Sequence, residues 1–317
     1  FHLGEGIPKP NIDYVRDAAK SIAPHLKAGD MLILESTSPV GTTDLVKTVM
    51  LEQGARVDQV HIAYCPERVL PGKIMIELVQ NDRVIGGINS ASTMAVADFY
   101  RSFVKGEILL TEAKIAEMCK LSENSFRDVN IAFANELSMI CADNGVDVWE
   151  LIKLANHHPR VNILQPGTGV GGHCIAVDPW FIVSADPSNS KIIKQARQVN
   201  DSKPNWVVER ITQRLRETGK DNPTVACLGL AFKPDIDDLR ESPAVRVTKA
   251  LMELNINVIC VEPNIQTHTE FSLVSLDTAL KQADVIAVLV GHKEFRLQIN
   301  LQLLSSANTI DFCGLTV

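Results

Sequence analysis

No cluster of lysines and arginines occurs in these 317 residues, and the formal charge is −7 with a pI near 5.6. Nucleic-acid binding needs a basic face to release counterions, so a nucleic-acid partner is excluded. No apolar run approaches the roughly 18 residues of a membrane span, and no basic-then-apolar signal opens the chain. A membrane partner is therefore not expected. Cysteines at C-x-x-C spacing are missing as well. The seven present (Cys65, Cys119, Cys141, Cys174, Cys227, Cys260 and Cys313) are odd in number and widely spread. That predicts neither a disulfide framework nor a zinc site, and it fits a reduced, cytoplasmic compartment. The chain begins at Phe1 instead of Met, so an N-terminus that is processed, trimmed or incomplete is expected.

What is there is an ordinary globular composition, 45% hydrophobic, with length for two domains or three small ones. After an irregular lead-in with Gly4, Gly6, Pro8 and Pro10, Asn11 can cap a helix through Tyr14, Ala18 and Ile22 toward His25. The apolar run Met31–Glu35 reads as a strand of a parallel sheet. Its exit, Ser36 to Thr42, is a loop at a strand's carboxyl end, where α/β sheets bind ligands; helix capping by Thr42 or Thr43 explains it equally well. A second strand at Val60–Tyr64 runs into the charged, proline-rich loop Cys65 to Gly72, and strands follow at Val84–Gly87 and Ile108–Leu110. The helices and strands alternate, yet no glycine-rich first turn of a dinucleotide fold is found here.

From Thr111 the apolar period becomes helical through Ile115, Met118, Leu121, Phe126, Val129, Phe133, Leu137 and Ile140, stopping at Asn144-Gly145. This predicts a long, mostly buried helix. Lys120 and Asn124 project together on it, with Arg127 farther along; a half-buried lysine can serve in proton transfer, and a solvated polar stripe is the plain alternative. A shorter helix at Trp149–Ala155 precedes Asn156-His157-His158-Pro159-Arg160. The adjacent histidines point apart and lack a third ligand at metal spacing, so no metal is expected. Helix resumes from Lys191 to Thr218, with Pro204 starting its second part or kinking it. The last third reads as a separate parallel α/β unit, with a charged turn from Phe232 to Ser242 after its first strand.

The densest chemistry lies between Gly167 and Trp180. Four glycines in the six positions from Gly167 to Gly172 let backbone approach a bound molecule, just before Cys174. Asp178 follows four residues on, and a helical turn would bring its carboxylate onto the face of the thiol. Taken alone, Cys174 reads more readily as a small buried hydrophobe, and its context must decide. Gly167, Gly169 and Gly172 match G-x-G-x-x-G by spacing, but Pro166 interrupts the strand that this fingerprint requires, so the match is a decoy.

Five of these loops, in order, resemble the UDP-glucose/GDP-mannose dehydrogenase family over nearly the whole chain. They are Ser36 to Val40, Pro66-Glu67, Lys120 to Asn124, Gly171 to Asp178, and Phe232 to Asp235 with Arg240 to Ser242. The resemblance implies an α/β protein with two Rossmann-like parallel-sheet domains, the first lacking its N-terminal half, joined by a central helical region. It divides the chain at 1–110 (NAD side), 111–219 (central, dimerising) and 220–317 (UDP-sugar side). Implied activity is the NAD-dependent oxidation of a UDP-sugar at C6 to the uronate. Glu67 to Gly72 and His173 to Trp180 look most like the branch acting on UDP-N-acetyl-D-mannosamine, for surface polysaccharide. Other UDP-sugars remain alternatives, as does a non-catalytic UDP-binding dimer.

By the same resemblance Cys174 is the nucleophile, Lys120 and Asn124 stabilise the oxyanion and shuttle protons, and Asp178 and Glu67 are bases. Arg68, Val69, Arg127, His158, Arg160, Gly171, Phe232 and Lys233 line the nucleotide-sugar site, and Thr37 and Arg240 contact NAD. Arg160 reaches the partner's active site in a homodimer. A cysteine hydrolase or transferase is the rival from another class, weakened by the lack of a histidine evidently placed as a base for Cys174. Two features depart from the family: its first 90 to 100 or so residues, with the glycine fingerprint, have no counterpart, and Cys313 stands where a basic residue precedes the closing glycine.

Overall fold

A computed structural model describes residues 8–69, 73–306 and 308–315. Leu70, Pro71 and Gly72 of the proline-rich loop, and Gly4 and Gly6 of the lead-in, lie outside the described residues. The chain forms two compact units. The first comprises Phe1–Ser125 with Asp178–Lys191, the second Phe126–Val177 with Ile192–Val317.

The first unit is a four-stranded sheet of β1 (Met31–Leu34), β2 (His61–Tyr64), β3 (Arg83–Gly87) and β4 (Ile108–Glu112), in that spatial order. Its outer pairings are parallel, Met31 against His61 and Arg83 against Ile108. The central pairing of β2 with β3 is antiparallel, Tyr64 opposite Gly86. Among the described residues, the connection between these two strands holds one short helix, α3 (Ile74–Gln80). Helices α1 (Asp13–Ile22), α2 (Thr42–Glu52) and α4 (Ser90–Arg101) cover the sheet. Val46, Val49, Met50 and Ile62 form one core cluster, and Ile85, Val96, Ala97 and Tyr100 another.

The helix α5 (Ala113–Asn144) is as long as its period predicts, but its buried face is only in part the predicted one: Leu121 is buried and Val129 and Leu137 are half-buried, while the rest of the stripe is exposed. Phe126, Phe133 and Ile140 are exposed at 72%, 57% and 51%. Apart from Leu121, the buried positions are small or polar: Ala113, Ala116, Glu117, Ser125, Asp128, Ala132, Ala134, Asn135 and Cys141. Polar groups can be buried there because each of Glu117, Asp128 and Asn135 is met by hydrogen-bond partners. Gly145, at φ +66, ends the helix as expected.

The second unit continues α5, adds α6 (Val148–Ala155), and builds a fully parallel sheet of β5 (Thr224–Leu228), β6 (Asn257–Val261), β7 (Val285–Val288) and β8 (Thr309–Asp311) in the order β6-β5-β7-β8. All four β7 residues are buried, which is why it reads as an unbroken apolar run. Helix α8 (Lys191–Glu217) runs through Pro204 without ending. The Asn200 carbonyl, which Pro204 leaves without its helical donor, lies against Gly169. Because the strand order turns outward in both directions from β5 and β7, their carboxyl ends flank a crevice of the kind that binds ligands. The Gly229-to-Ser242 turn leaves from there.

Candidate active site

In the first unit the site is built on α5. One turn apart, Lys120 and Asn124 share a face: Lys120 Nζ donates to the Glu67 carbonyl at 2.7 Å, and Asn124 Nδ2 donates to Asp178 Oδ2 at 2.5 Å. Asp178 is 3% exposed. Burial pushes its carboxyl up to about 6, against the opposing pull of Asn124 and Lys120. Glu67 turns its own carboxylate back to the Val69 amide (2.6 Å), while Arg68 pairs with Glu123 and reaches Cys119 Sγ at 3.5 Å.

Asp178 does not continue a helix from Cys174. Residues 175–177 form a turn closed by Val177 N–H on the Cys174 carbonyl (3.0 Å), and α7 (Asp178–Ala185) starts afresh at Asp178. Pro179 in its first turn suits a helix start, where no N–H is needed.

Sequence reading missed Glu117, one turn before Lys120. It is fully buried and accepts from Gly41 N–H (2.6 Å), Thr43 N–H (2.8 Å) and Thr43 Oγ1 (2.6 Å). This carboxylate, not Thr42 or Thr43, satisfies the open amides of α2, whose N-cap Gly41 sits at φ +93. The bond fastens the loop carrying half-buried Thr37 to the helix carrying Lys120. Helical spacing of Glu117, Lys120 and Asn124 was the available signal.

In the second unit the glycine loop packs on the turn after β5. A Cβ on Gly171 would lie 2.5 Å from the Glu241 carbonyl, and one on Gly172, at φ +79, would lie 2.8 Å from the Phe232 ring. Only glycine lets the loop sit this close. At the base of the loop Gly167 N–H donates to Asn135 Oδ1 (2.8 Å), and Asn135 in turn bonds Asn200 (2.9 Å), which bonds Asp128 (2.8 Å). Fully buried Arg197 closes this network on Asp128 and Asp201, each at 2.5 Å. Burial still drives Asp128 up to about 6, partly offset by Arg197.

Cys174 is exposed, and a histidine does stand beside it: His173 Nδ1 lies 3.5 Å from its Sγ. His173 Nε2 lies 3.2 Å from Arg240 Nη2, and Arg240 is forked onto Asp238 (2.7 Å at Nη2), which holds the Asp238 carboxyl down at about 2.

Thr168, Gly169, Phe232, Lys233, Arg296 and Cys313 line a cavity of about 270 Å³. Cys313 occupies the position where a basic residue was expected, and Arg296 supplies a cation in the same cavity. Arg127, His158 and Arg160 are exposed; His158 Nδ1 accepts from the Arg160 amide (3.3 Å). Among the described residues the one candidate cation cluster is Asp235, His292 and Glu294. His292 Nδ1 already accepts the Asp235 amide at 3.0 Å, which takes its only lone pair.

No helix among the described residues is long and apolar enough to cross a membrane. The NAD-binding domain of the UDP-glucose/GDP-mannose dehydrogenase family matches residues 4–104, its central domain 114–202 and its UDP-binding domain 226–316. A UDP-N-acetyl-D-mannosamine dehydrogenase of Campylobacter jejuni is 53% identical over 96% of this chain and 77% of its own length. An NDP-N-acetyl-D-galactosaminuronic acid dehydrogenase of Ralstonia solanacearum is 49% identical over 97% and 75%. The solved UDP-D-ManNAc dehydrogenase of Pyrococcus horikoshii superposes with a TM-score of 0.89 at 37% identity, covering 97% of this chain and 74% of that one. With its motifs, its two α/β units and these relatives in agreement, the chain belongs to the UDP-glucose/GDP-mannose dehydrogenase family, NAD-dependent dehydrogenases of nucleotide sugars.

Proposed function

We propose that this dehydrogenase oxidises UDP-N-acetyl-D-mannosamine at C6 to UDP-N-acetyl-D-mannosaminuronate, through a thiohemiacetal and a thioester on Cys174. The observation that carries the mechanism is Asp178, a buried carboxylate near 6 with an amide donor and a lysine beside it. Such a group accepts protons at neutral pH. In the first oxidation Asp178 takes the C6 hydroxyl proton, and Lys120 and Asn124 stabilise charge on that oxygen. An aldehyde yields no second hydride until something adds to its carbonyl, so Cys174 sulfur adds to C6. After loss of hydride the thioester is attacked by water, whose proton passes to Asp178 or Glu67, and the sulfur departs. NAD⁺, when bound, accepts the hydride in both oxidations. The Ser36-to-Thr42 loop suits it: exposed Ser36 rims an apolar groove of about 290 Å³ along β1, next to Thr37. Arg240 is the second NAD contact proposed.

The sugar assignment is supported by the name of the Campylobacter jejuni relative and by Arg68, Val69, His158 and Arg160 as polar and shape-setting candidates. Arg127, Gly171, Phe232 and Lys233 complete the proposed nucleotide-sugar contacts. The partition 1–110, 111–219 and 220–317 is retained as NAD-side, central and UDP-sugar domains. A homodimer is proposed on the exposed Phe126, Phe133 and Ile140, which recur every seven residues and so form one apolar stripe for a second copy. Arg160 would enter the partner's site.

NADH formation with UDP-N-acetylmannosamine, UDP-N-acetylglucosamine and UDP-glucose tests the donor: several orders of magnitude in favour of the first is expected, and equal or better turnover of UDP-glucose refutes it. Cys174→Ser should abolish uronate formation while leaving sugar-nucleotide affinity intact; full-rate uronate formation refutes the covalent route.

A further inference from the structure

We infer that His173 is a further catalytic residue, which holds Cys174 as a thiolate by donating its Nδ1–H to Sγ, in a tautomer fixed from behind by Arg240 and Asp238. Arginine has donors only, so the Arg240 Nη2 atom 3.2 Å from His173 Nε2 requires a lone pair on that ring nitrogen. In a neutral imidazole the proton is then on Nδ1, the atom 3.5 Å from Cys174 Sγ. Arg240 is in turn held by four hydrogen bonds to Asp238: its backbone amide (3.0 Å) and Nε (3.0 Å) on Oδ1, and Nε (3.1 Å) and Nη2 (2.7 Å) on Oδ2. Four other charged groups belong to this turn: the Asp235 carboxylate accepts from the Lys293 amide (2.8 Å), Asp237 is exposed, and Glu241 and Lys233 complete the set. Glu241 is exposed and brings its backbone carbonyl to Gly171, and the Lys233 ammonium lies 5.7 Å over the Phe232 ring.

This geometry makes His173 a donor and not the base of a cysteine hydrolase. The S–H bond breaks with its proton going to water, the electron pair stays on sulfur, and the Nδ1–H with the cation behind it stabilises the resulting charge. The inference rests on reading Cys174 as the nucleophile and concerns how that nucleophile is charged.

The test is the pH dependence of Cys174 alkylation by iodoacetamide in the intact protein without NAD⁺, followed on the Cys174 peptide by mass spectrometry. His173→Ala should raise the midpoint by about one pH unit, which makes alkylation about tenfold slower below it. His173→Asn, which can return an N–H near the Nδ1 position, should recover part of the shift. Arg240→Met touches no sulfur but frees the tautomer, and it should raise the midpoint too. An unchanged or lowered midpoint in His173→Ala overturns the inference, and an unchanged one in Arg240→Met overturns the role of the Arg240–Asp238 pair. The covalent route fails separately: uronate formation by Cys174→Ser refutes it whatever the alkylation midpoints do.

Discussion

Replacing Asp178 by Asn should make the first unit more stable and the enzyme inactive, with a pH dependence that the buried carboxyl dictates. Its ordinary value of 3.8 is raised to about 6 by burial, with Asn124 and Lys120 only partly compensating. That displacement corresponds to about 3 kcal/mol. A carboxyl raised on folding binds protons more tightly in the native state. Its protonated form therefore carries no penalty below the unfolded value, and native stability falls as pH rises from about 4 through about 6. Asn keeps the shape and can accept the Asn124 amide through its oxygen, but it carries no charge. The variant and the parent should thus unfold alike near pH 4, and above pH 6 the variant should be more stable by up to about 3 kcal/mol. Urea unfolding at pH 4 and pH 7.5 measures this, beside NADH formation, which should rise in the parent through pH 6 as Asp178 ionises. A variant less stable than the parent at pH 7.5 would refute the burial argument.

Glu117→Ala leaves the Gly41 and Thr43 amides without their acceptor and should cost about 3 kcal/mol, together with a raised KM for NAD⁺; unfolding and NAD⁺ titration check it. Arg197→Met strands buried Asp128 and should destabilise the second unit by about 3–5 kcal/mol, read by thermal unfolding. Gly172→Ala forces a side chain to φ +79 against the Phe232 ring, and UDP affinity by calorimetry should fall, with a stability loss of about 1–2 kcal/mol. Lys120→Ala should slow both oxidations together, because charge develops on the same oxygen in each; single-turnover rates from the alcohol and the aldehyde would separate this from a loss of binding alone.

The sequence by itself determined the element order, because strand burial and helical period are local properties: β7, and β5 beyond Thr224, are apolar since both their faces are covered, and α5 ends at Gly145 since only a residue free to take positive φ stops it there. It also located the reactive loops, whose glycines betray close backbone approach. Tertiary structure alone decided which face of α5 is buried. Periodicity marks the apolar stripe of Phe126, Phe133 and Ile140 but not what covers it, while the face buried within the chain is held by polar partners distant in sequence, Thr43 for Glu117 and Arg197 for Asp128. It also decided the antiparallel inversion of β3, the start of α7 at Asp178, and the function of His173, a neighbour of Cys174 in sequence whose ring acquires a direction only from Arg240, 67 residues away. Hydrogen-bond direction and burial depend on what the folded chain brings alongside a residue, and no reading of the residue's own neighbours along the chain supplies that.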